Sequence, residues 1–352
     1  MSKIKVLIVD DSPFIRKALL RIFESEPEIE VAGVARDGKE AVNKVISLDP
    51  DVITLDIMMP GIDGIETLKI IMETKPTPVL MLSQYTREGA ELTLNALELG
   101  AMDFVDKSSA GIMDFSRLAK EITSKIKAIA GKKPTPHIPP LLKSSEDGLL
   151  VREDFTSRGI IDVVVIGTST GGPPALQVLL PKFPSNISFG LLIVQHMPPG
   201  FTGPLANRLD TICDIHVKEA MDGDRIEPGL AMIAPSGLHM TLRKIRNTDS
   251  GIEGKIKLDV EPLDAIHRPS VDVLFQSAAK VYRSRAIGVI LTGMGSDGAK
   301  GLGMMKEAGA YTIAQDEATS TIFGMPKVAI ESGAVDSIAP ITSIAEEILK
   351  RV

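Results

Sequence analysis

The sequence predicts an α/β protein of two domains: an N-terminal (βα)5 unit on a parallel sheet, and a C-terminal doubly wound α/β domain with a mainly parallel sheet and an antiparallel hairpin. Three observations carry this. The chain has 352 residues, about two domains at ~150 residues each. Short, continuously apolar runs alternate with segments of helical spacing in both halves, the pattern of parallel strands covered on both faces. A proline-rich stretch of different texture separates the halves. The boundaries read as 1–127, 128–158 and 159–352.

In the first half, IKVLIVD (Ile4–Asp10) is the first strand candidate, and PFIRKALLRIFES (Pro13–Ser25) is a helix opened by proline. IEVAGVA, DVITLDI, PVLMLS and FVDK continue the strands, and SRLAKEITSKIKAIA is the last helix. The middle stretch carries Pro134, Pro136, Pro139 and Pro140. Proline fixes φ and removes a donor, so this reads as a linker, ending in a short helix near Leu149–Phe155. In the second half, Ile161–Gly167, Phe189–His196, Gly229–Pro235, Arg285–Gly293 and Tyr311–Gln315 are strand candidates. The alternating text between Leu238 and Val260 predicts a hairpin appended to the main sheet.

Composition excludes several classes. The net charge is −7, divided as −5 over 1–130, +1 over 131–158 and −3 over 159–352. Neither half is a basic nucleic-acid module. Cys213 is the one cysteine, so no intramolecular disulfide forms and a reducing compartment is expected. No apolar run approaches the ~20 residues of a membrane span. MSKIKVLIVDD lacks a cleavable signal pattern.

Asp10 and Asp11 stand where the first strand ends, and Asp56 where the third ends. Ligands of open parallel sheets bind beyond these strand ends. Three carboxylates there need a cation, and hard oxygen ligands in an incomplete cage suit Mg²⁺. Lys107 and Ser83 follow the fifth and fourth strands, placed to meet a phosphoryl group. An isolated aspartate after a strand is ordinarily a turn former or helix cap; five suitable side chains on four strand ends are not isolated.

In the second half, Gly167-Thr168-Ser169-Thr170-Gly171 fits G-x-S-x-G between a strand and a helix. Such a turn lifts a serine hydroxyl above the sheet, and the helix start favours a developing oxyanion. The same turn also suits anion binding, so the motif alone leaves both readings open. A serine nucleophile needs a base. Among five histidines, His196 ends a strand at the same sheet edge; His137 is in the linker, His216 reads as solvent-facing or packed, and His239 and His267 stay open. Asp297, just past a further strand in LTGMGSDGAKG, is the candidate orienting carboxylate. The order Ser, His, Asp differs from that of α/β-hydrolases.

VDDSPFIRK, LDIMMPGIDG, MLSQ and FVDK resemble the receiver domain of bacterial two-component response regulators, over residues 1 to about 125. The resemblance implies that Asp56 accepts a phosphoryl group from a histidine kinase. It implies that Asp10, Asp11, Asp56 and the carbonyl of Met58 hold Mg²⁺, that Ser83 and Lys107 sense the phosphoryl group, and that Phe104 is the aromatic switch. Ser83 replaces a common threonine, and Ser108 follows Lys107 where proline is usual.

IGTSTGG, VQHMPPGFT, HRPSVDVLF and LTGMGSDGAKG are similar to the catalytic domain of chemotaxis-specific protein-glutamate methylesterases, from Ile161 to the C-terminus. This implies a triad of Ser169, His196 and Asp297, with oxyanion donors in the backbone near Thr170 and Met294 and no cofactor in the esterase site. The function expected is hydrolysis of glutamate methyl esters on methyl-accepting chemoreceptors, with deamidation of receptor glutamines by the same chemistry. Phosphorylation at Asp56 is expected to relieve a receiver that covers the Ser169 cleft. A cytoplasmic monomer without nucleic-acid partner or membrane insertion is expected. Two other classes compete: a receiver-controlled DNA-binding effector, opposed by the acidic charge, and a receptor-binding scaffold without catalysis, opposed by the complete triad.

Overall fold

The strands of the N-terminal unit are short and mostly apolar, and its first four helices open on side-chain caps. The computed structural model describes residues 3–83, 86–107, 115–134, 161–248 and 251–352. The chain divides into two units, Met1–Pro140 and Leu141–Val352. The first contains β1 (Ile4–Val9), α1 (Pro13–Glu24), β2 (Ile29–Ala35), α2 (Gly38–Leu48), β3 (Val52–Asp56), α3 (Gly64–Thr74), β4 (Val79–Ser83), α4 (Arg87–Glu98), β5 (Asp103–Asp106) and α5 (Phe115–Ile129). Ser12, Asp37, Asp63 and Thr86 each accept a bond from the amide three residues on, fixing where α1 to α4 begin. The strands pair in parallel in the order β2-β1-β3-β4-β5. β3 and β4 are buried along their whole length, as a sheet with helices on both faces requires. The order reverses between β1 and β3, so a crevice opens at their C-terminal ends.

The second unit contains β6 (Val163–Thr168), α6 (Gly172–Leu179), β7 (Gly190–Gln195), α7 (Thr202–Ile212), β8 (His216–Glu219), β9 (Leu230–Ile233), β10 (His239–Asn247) and β11 (Ile252–Asp259). It continues with α8 (Val271–Val281), β12 (Ala286–Ile290), α9 (Ala299–Glu307), β13 (Tyr311–Gln315), α10 (Met325–Glu331), β14 (Ser337–Ala339) and α11 (Ile344–Leu349). Seven strands pair in parallel in the order β14-β13-β12-β6-β7-β9-β8. β6, β7 and β12 are wholly buried. Here the reversal falls between β6 and β12.

The hairpin differs from the expectation. β10 and β11 pair with each other in a separate two-stranded sheet and are not part of the seven-stranded one. The reason is the amphipathic inner face of the hairpin. Met240, Leu242 and Ile256 are buried in one core with Leu274 and Phe275 of α8, and Leu242 N donates to Ser277 Oγ at 2.9 Å. Each such side chain is worth about 1.5–3 kcal/mol when buried, so the hairpin is held by side chains packed on a helix. The edge strands β8 and β14 are four and three residues long, too short for an alternating pattern to identify. The linker and its expected helix at Leu149–Phe155 lie outside the described residues. Among the described residues no helix is long and apolar enough to cross a membrane.

Candidate active site

The crevice of the first unit holds acid. β1 and β3 are adjacent, with Val9 beside Leu55, so Asp10 and Asp56 leave the sheet together. Both are buried and Asp11 is exposed. One carboxylate oxygen from each of the three lies within 4.8 Å of the others. Lys107 Nζ lies 2.7 Å from Asp56 Oδ1 and 3.2 Å from Asp10 Oδ2. Burial pushes the Asp10 and Asp56 carboxyls up, against the pull of Lys107. One ammonium among three carboxylates leaves an excess of negative charge on hard oxygen donors, which fits a divalent cation such as Mg²⁺. The amide of Met58 reaches Asp56 Oδ1 at 3.3 Å. The other predicted residues of this pocket face helices: Ser83 Oγ lies 2.7 Å from Thr93 Oγ1 of α4. Phe104 is buried, and its carbonyl accepts from Lys125 Nζ at 2.6 Å. Ser108 lies outside the described residues.

The crevice of the second unit is built around Ser169. Past β6 the chain turns at once: Gly172 N donates to Ser169 O at 2.8 Å, and Gly171 has φ +78°. That conformation favours glycine, and a Cβ on Gly171 would also lie 2.4 Å from Thr321 Oγ1. The turn is tied to the end of β12 through Thr292. Thr292 O accepts from Ser169 N at 3.1 Å and from Thr168 Oγ1 at 3.0 Å, and Thr292 Oγ1 donates to Thr170 O at 2.9 Å. The next residue, Gly293, runs so close that a Cβ on it would lie 2.8 Å from Ser169 Cβ. Thr170 and Met294, the predicted oxyanion positions, therefore flank Ser169 on the turn and on the β12 loop.

His196 arrives on the neighbouring strand. Register pairs Thr168 with Gln195, so Ser169 and His196 leave the sheet side by side. Gln195 Nε2 donates to both Ser169 O and His196 O, each at 2.9 Å. His196 Nε2 lies 2.8 Å from Asp297 Oδ2. A carboxylate on Nε2 selects the tautomer with its proton there, leaving the lone pair on Nδ1. Nδ1 is buried without a hydrogen-bond partner. Among the described residues the Ser169–His196 hydrogen bond is not formed, and such bonds commonly tighten only with substrate bound.

Asp297 is held at the start of α8. Its Oδ1 accepts from Ser270 Oγ at 2.9 Å and Asp272 N at 3.0 Å, and its Oδ2 also accepts from Val271 N at 2.8 Å. Burial alone would raise this carboxyl. The His196 hydrogen bond and charge, with the two amides, hold it well below the usual carboxylate range instead. It is ionised at any working pH.

Three other contacts were not readable as roles. Gln195 sets the spacing of Ser169 and His196, the α8 start holds Asp297, and the exposed His267 ring stacks on His196 at 4.2 Å between centroids and 18° between planes. The HRPSVD text carried the last two, but nothing in it marks which side chains touch His196 or Asp297. His216 is exposed, 2.7 Å from Asp210. His239 is buried, between Pro262 O and Ser270 N. His137 lies outside the described residues.

The CheB methylesterase family model matches residues 164–348, and that of the response regulator receiver domain matches residues 6–120. A protein-glutamate methylesterase/protein-glutamine glutaminase of Symbiobacterium thermophilum is 46% identical over 359 residues, covering 99% of this chain and 97% of that protein. The protein of the same name from Archaeoglobus fulgidus is 44% identical, covering 98% and 97%. Among solved structures, the Thermotoga maritima CheB methylesterase catalytic domain is 42% identical, covering 55% of this chain and 100% of that one, with a TM-score of 0.52.

Proposed function

We infer from membership of the chain in the CheB methylesterase family, joined to a response regulator receiver domain, that its hydrolysis of chemoreceptor glutamate methyl esters runs through Ser169, His196 and Asp297. The enzyme is a receiver-regulated hydrolase, and the assignment of its chemistry to these residues is our reading. The observation that carries it is the imidazole of His196, oriented by Asp297 and presenting an unpartnered Nδ1 on the rim where Ser169 turns.

In this mechanism Ser169 Oγ attacks the γ-carbonyl of the glutamyl ester while His196 Nδ1 takes its proton. Asp297 stabilises the imidazolium without taking a proton itself. The amides of Thr170 and Met294 receive the oxyanion; one such donor is worth about 10²–10³ in turnover. The C–O bond to the methoxy group breaks, and Nδ1–H protonates the departing methoxide, releasing methanol. Water, deprotonated by His196, then attacks the acyl carbonyl; the bond to Ser169 Oγ breaks, Nδ1–H returns its proton to Oγ, and the glutamate side chain leaves as its acid, which ionises in water. A glutamine side chain follows the same path with ammonia leaving. Methanol release from methylated receptor membranes tests this: Ser169→Ala should lose a factor on the order of 10³ or more, and undiminished release would sink the assignment.

In the receiver, Asp56 is read as the phosphoryl acceptor from a histidine kinase. Asp10, Asp11, Asp56 and the Met58 carbonyl would hold Mg²⁺, which supplies positive charge against the phosphoryl oxygens. Lys107 passes from the Asp56 carboxylate to a phosphoryl oxygen, Ser83 exchanges Thr93 for another, and Phe104 repacks beside it. The unphosphorylated receiver restrains the esterase. With domains at 1–127 and 159–352, removing residues 1–127 should raise basal turnover; a fall would contradict restraint. The enzyme is read as a cytoplasmic monomer that needs neither nucleic acid nor membrane insertion, and no cofactor serves the esterase site.

A further inference from the structure

We propose that the loop 260–268, between β11 and α8, is the lip on which the protein substrate docks, with Leu263 and Ile266 receiving its aliphatic side chains and Arg268 a free carboxylate near the reacting glutamyl group. The proposal rests on the Ser169 reading above and adds a recognition surface to it.

The loop is anchored at both ends. Buried His239 meets Pro262 O through Nε2 at 3.2 Å and accepts from Ser270 N through Nδ1 at 3.2 Å. Gly237 N donates to Arg268 O at 3.0 Å. Between these anchors Leu263 is 63% and Ile266 92% exposed. Aliphatic side chains held at this exposure by a tethered loop beside the site are available to a partner's apolar side chains. Arg268 pairs with no carboxylate among the described residues, and its buried Nε has no hydrogen-bond partner. A guanidinium in that state is suited to a carboxylate brought by a partner.

Continuity with the reaction centre identifies the occupant. Ile266 is followed by His267, whose ring covers one face of His196, and Ser270 ends the segment on Asp297. A glutamyl side chain is short, so its polypeptide must come down close to this rim to reach Ser169. The loop sets its exposed Ile266 one residue from the ring that covers His196.

The test is a double variant of the full-length enzyme, Leu263→Ser with Ile266→Ser, assayed by methanol release from methylated receptor membranes over a range of receptor concentrations. The expected result is a rise in KM of about tenfold with kcat kept within twofold, the signature of lost uniform binding. An unchanged KM overturns the proposal. So does a fall in kcat at constant KM, which would make the loop a support of the triad. Raised basal turnover without phosphorylation would mean that the lip seats the receiver, and overturns it equally. Arg268→Gln should raise KM with kcat kept, and an unchanged KM overturns the carboxylate contact. None of these outcomes resembles failure of the Ser169 reading, which appears as retained turnover in Ser169→Ala.

Discussion

In the acidic pocket of the first unit, Lys107 is shared between two buried carboxylates with a third nearby. In the catalytic unit, Asp297 is one carboxylate shared among four donors. The first arrangement is short of positive charge, and burial raises its acids. The second is saturated, and its acid lies far below the ordinary range. Beside it, Nδ1 of His196 and Oε1 of Gln195 are buried without hydrogen-bond partners. The contrast separates a site that gains from a ligand arriving from one whose electrostatics are already in place, the preorganisation that makes fixed dipoles effective in catalysis.

The largest test of that contrast is Asp297→Asn. If the charge and tautomer are set in advance, kcat should fall about 10³- to 10⁴-fold; a loss below tenfold would break the comparison. Next is Gly293→Ala, whose new methyl lies 2.8 Å from Ser169 Cβ and 2.3 Å from Met325 Sδ. Displacing a nucleophile by about 1 Å costs on the order of 10² in turnover, read as kcat with the fold checked by its unfolding midpoint. On the other side, Asp56→Asn should keep basal esterase within twofold and abolish stimulation by a small phosphodonor with Mg²⁺. Chelating Mg²⁺ should do the same to wild type, and a basal loss in either experiment would mean that the two sites are not separable.

The smallest effect concerns His239, which burial holds below the ordinary value of 6.5, assisted by the charge of Arg268. The unfolded chain takes up a proton near pH 6.5 while folded His239 does not, so stability is lost as pH falls through that value. The slope is at most about 1.4 kcal/mol per pH unit. His239→Asn should flatten this part of the unfolding profile between pH 7.5 and 5.5, relative to wild type. An unchanged profile would show that His239 does not stay neutral.

Both sheets were legible because their central strands are continuous apolar runs bounded by helix starts. The candidate site was legible for the same reason: Ser169, His196 and Asp297 each follow one of those strands, and strand ends share a rim. Contacts made between distant segments were not legible. The donors on Asp297 come from Ser270 to Asp272, far off in sequence, and the stack of His267 on His196 depends on how the intervening loop is anchored. The hairpin was recognised from its alternation, but its separation from the main sheet follows from side chains meeting α8, which alternation does not encode. Ser83 was placed at a strand end, while its engagement with Thr93 depends on where α4 packs.

An all-parallel sheet of seven strands ends in two open rims, each offering unpaired amides and carbonyls. In this molecule those rims are β8 and β14, of four and three residues. Stretches this brief give an invading chain little backbone to copy, so the fold guards against fibre-like self-templating by clipping its borders, and on β8 Lys218 and Glu219 add charge.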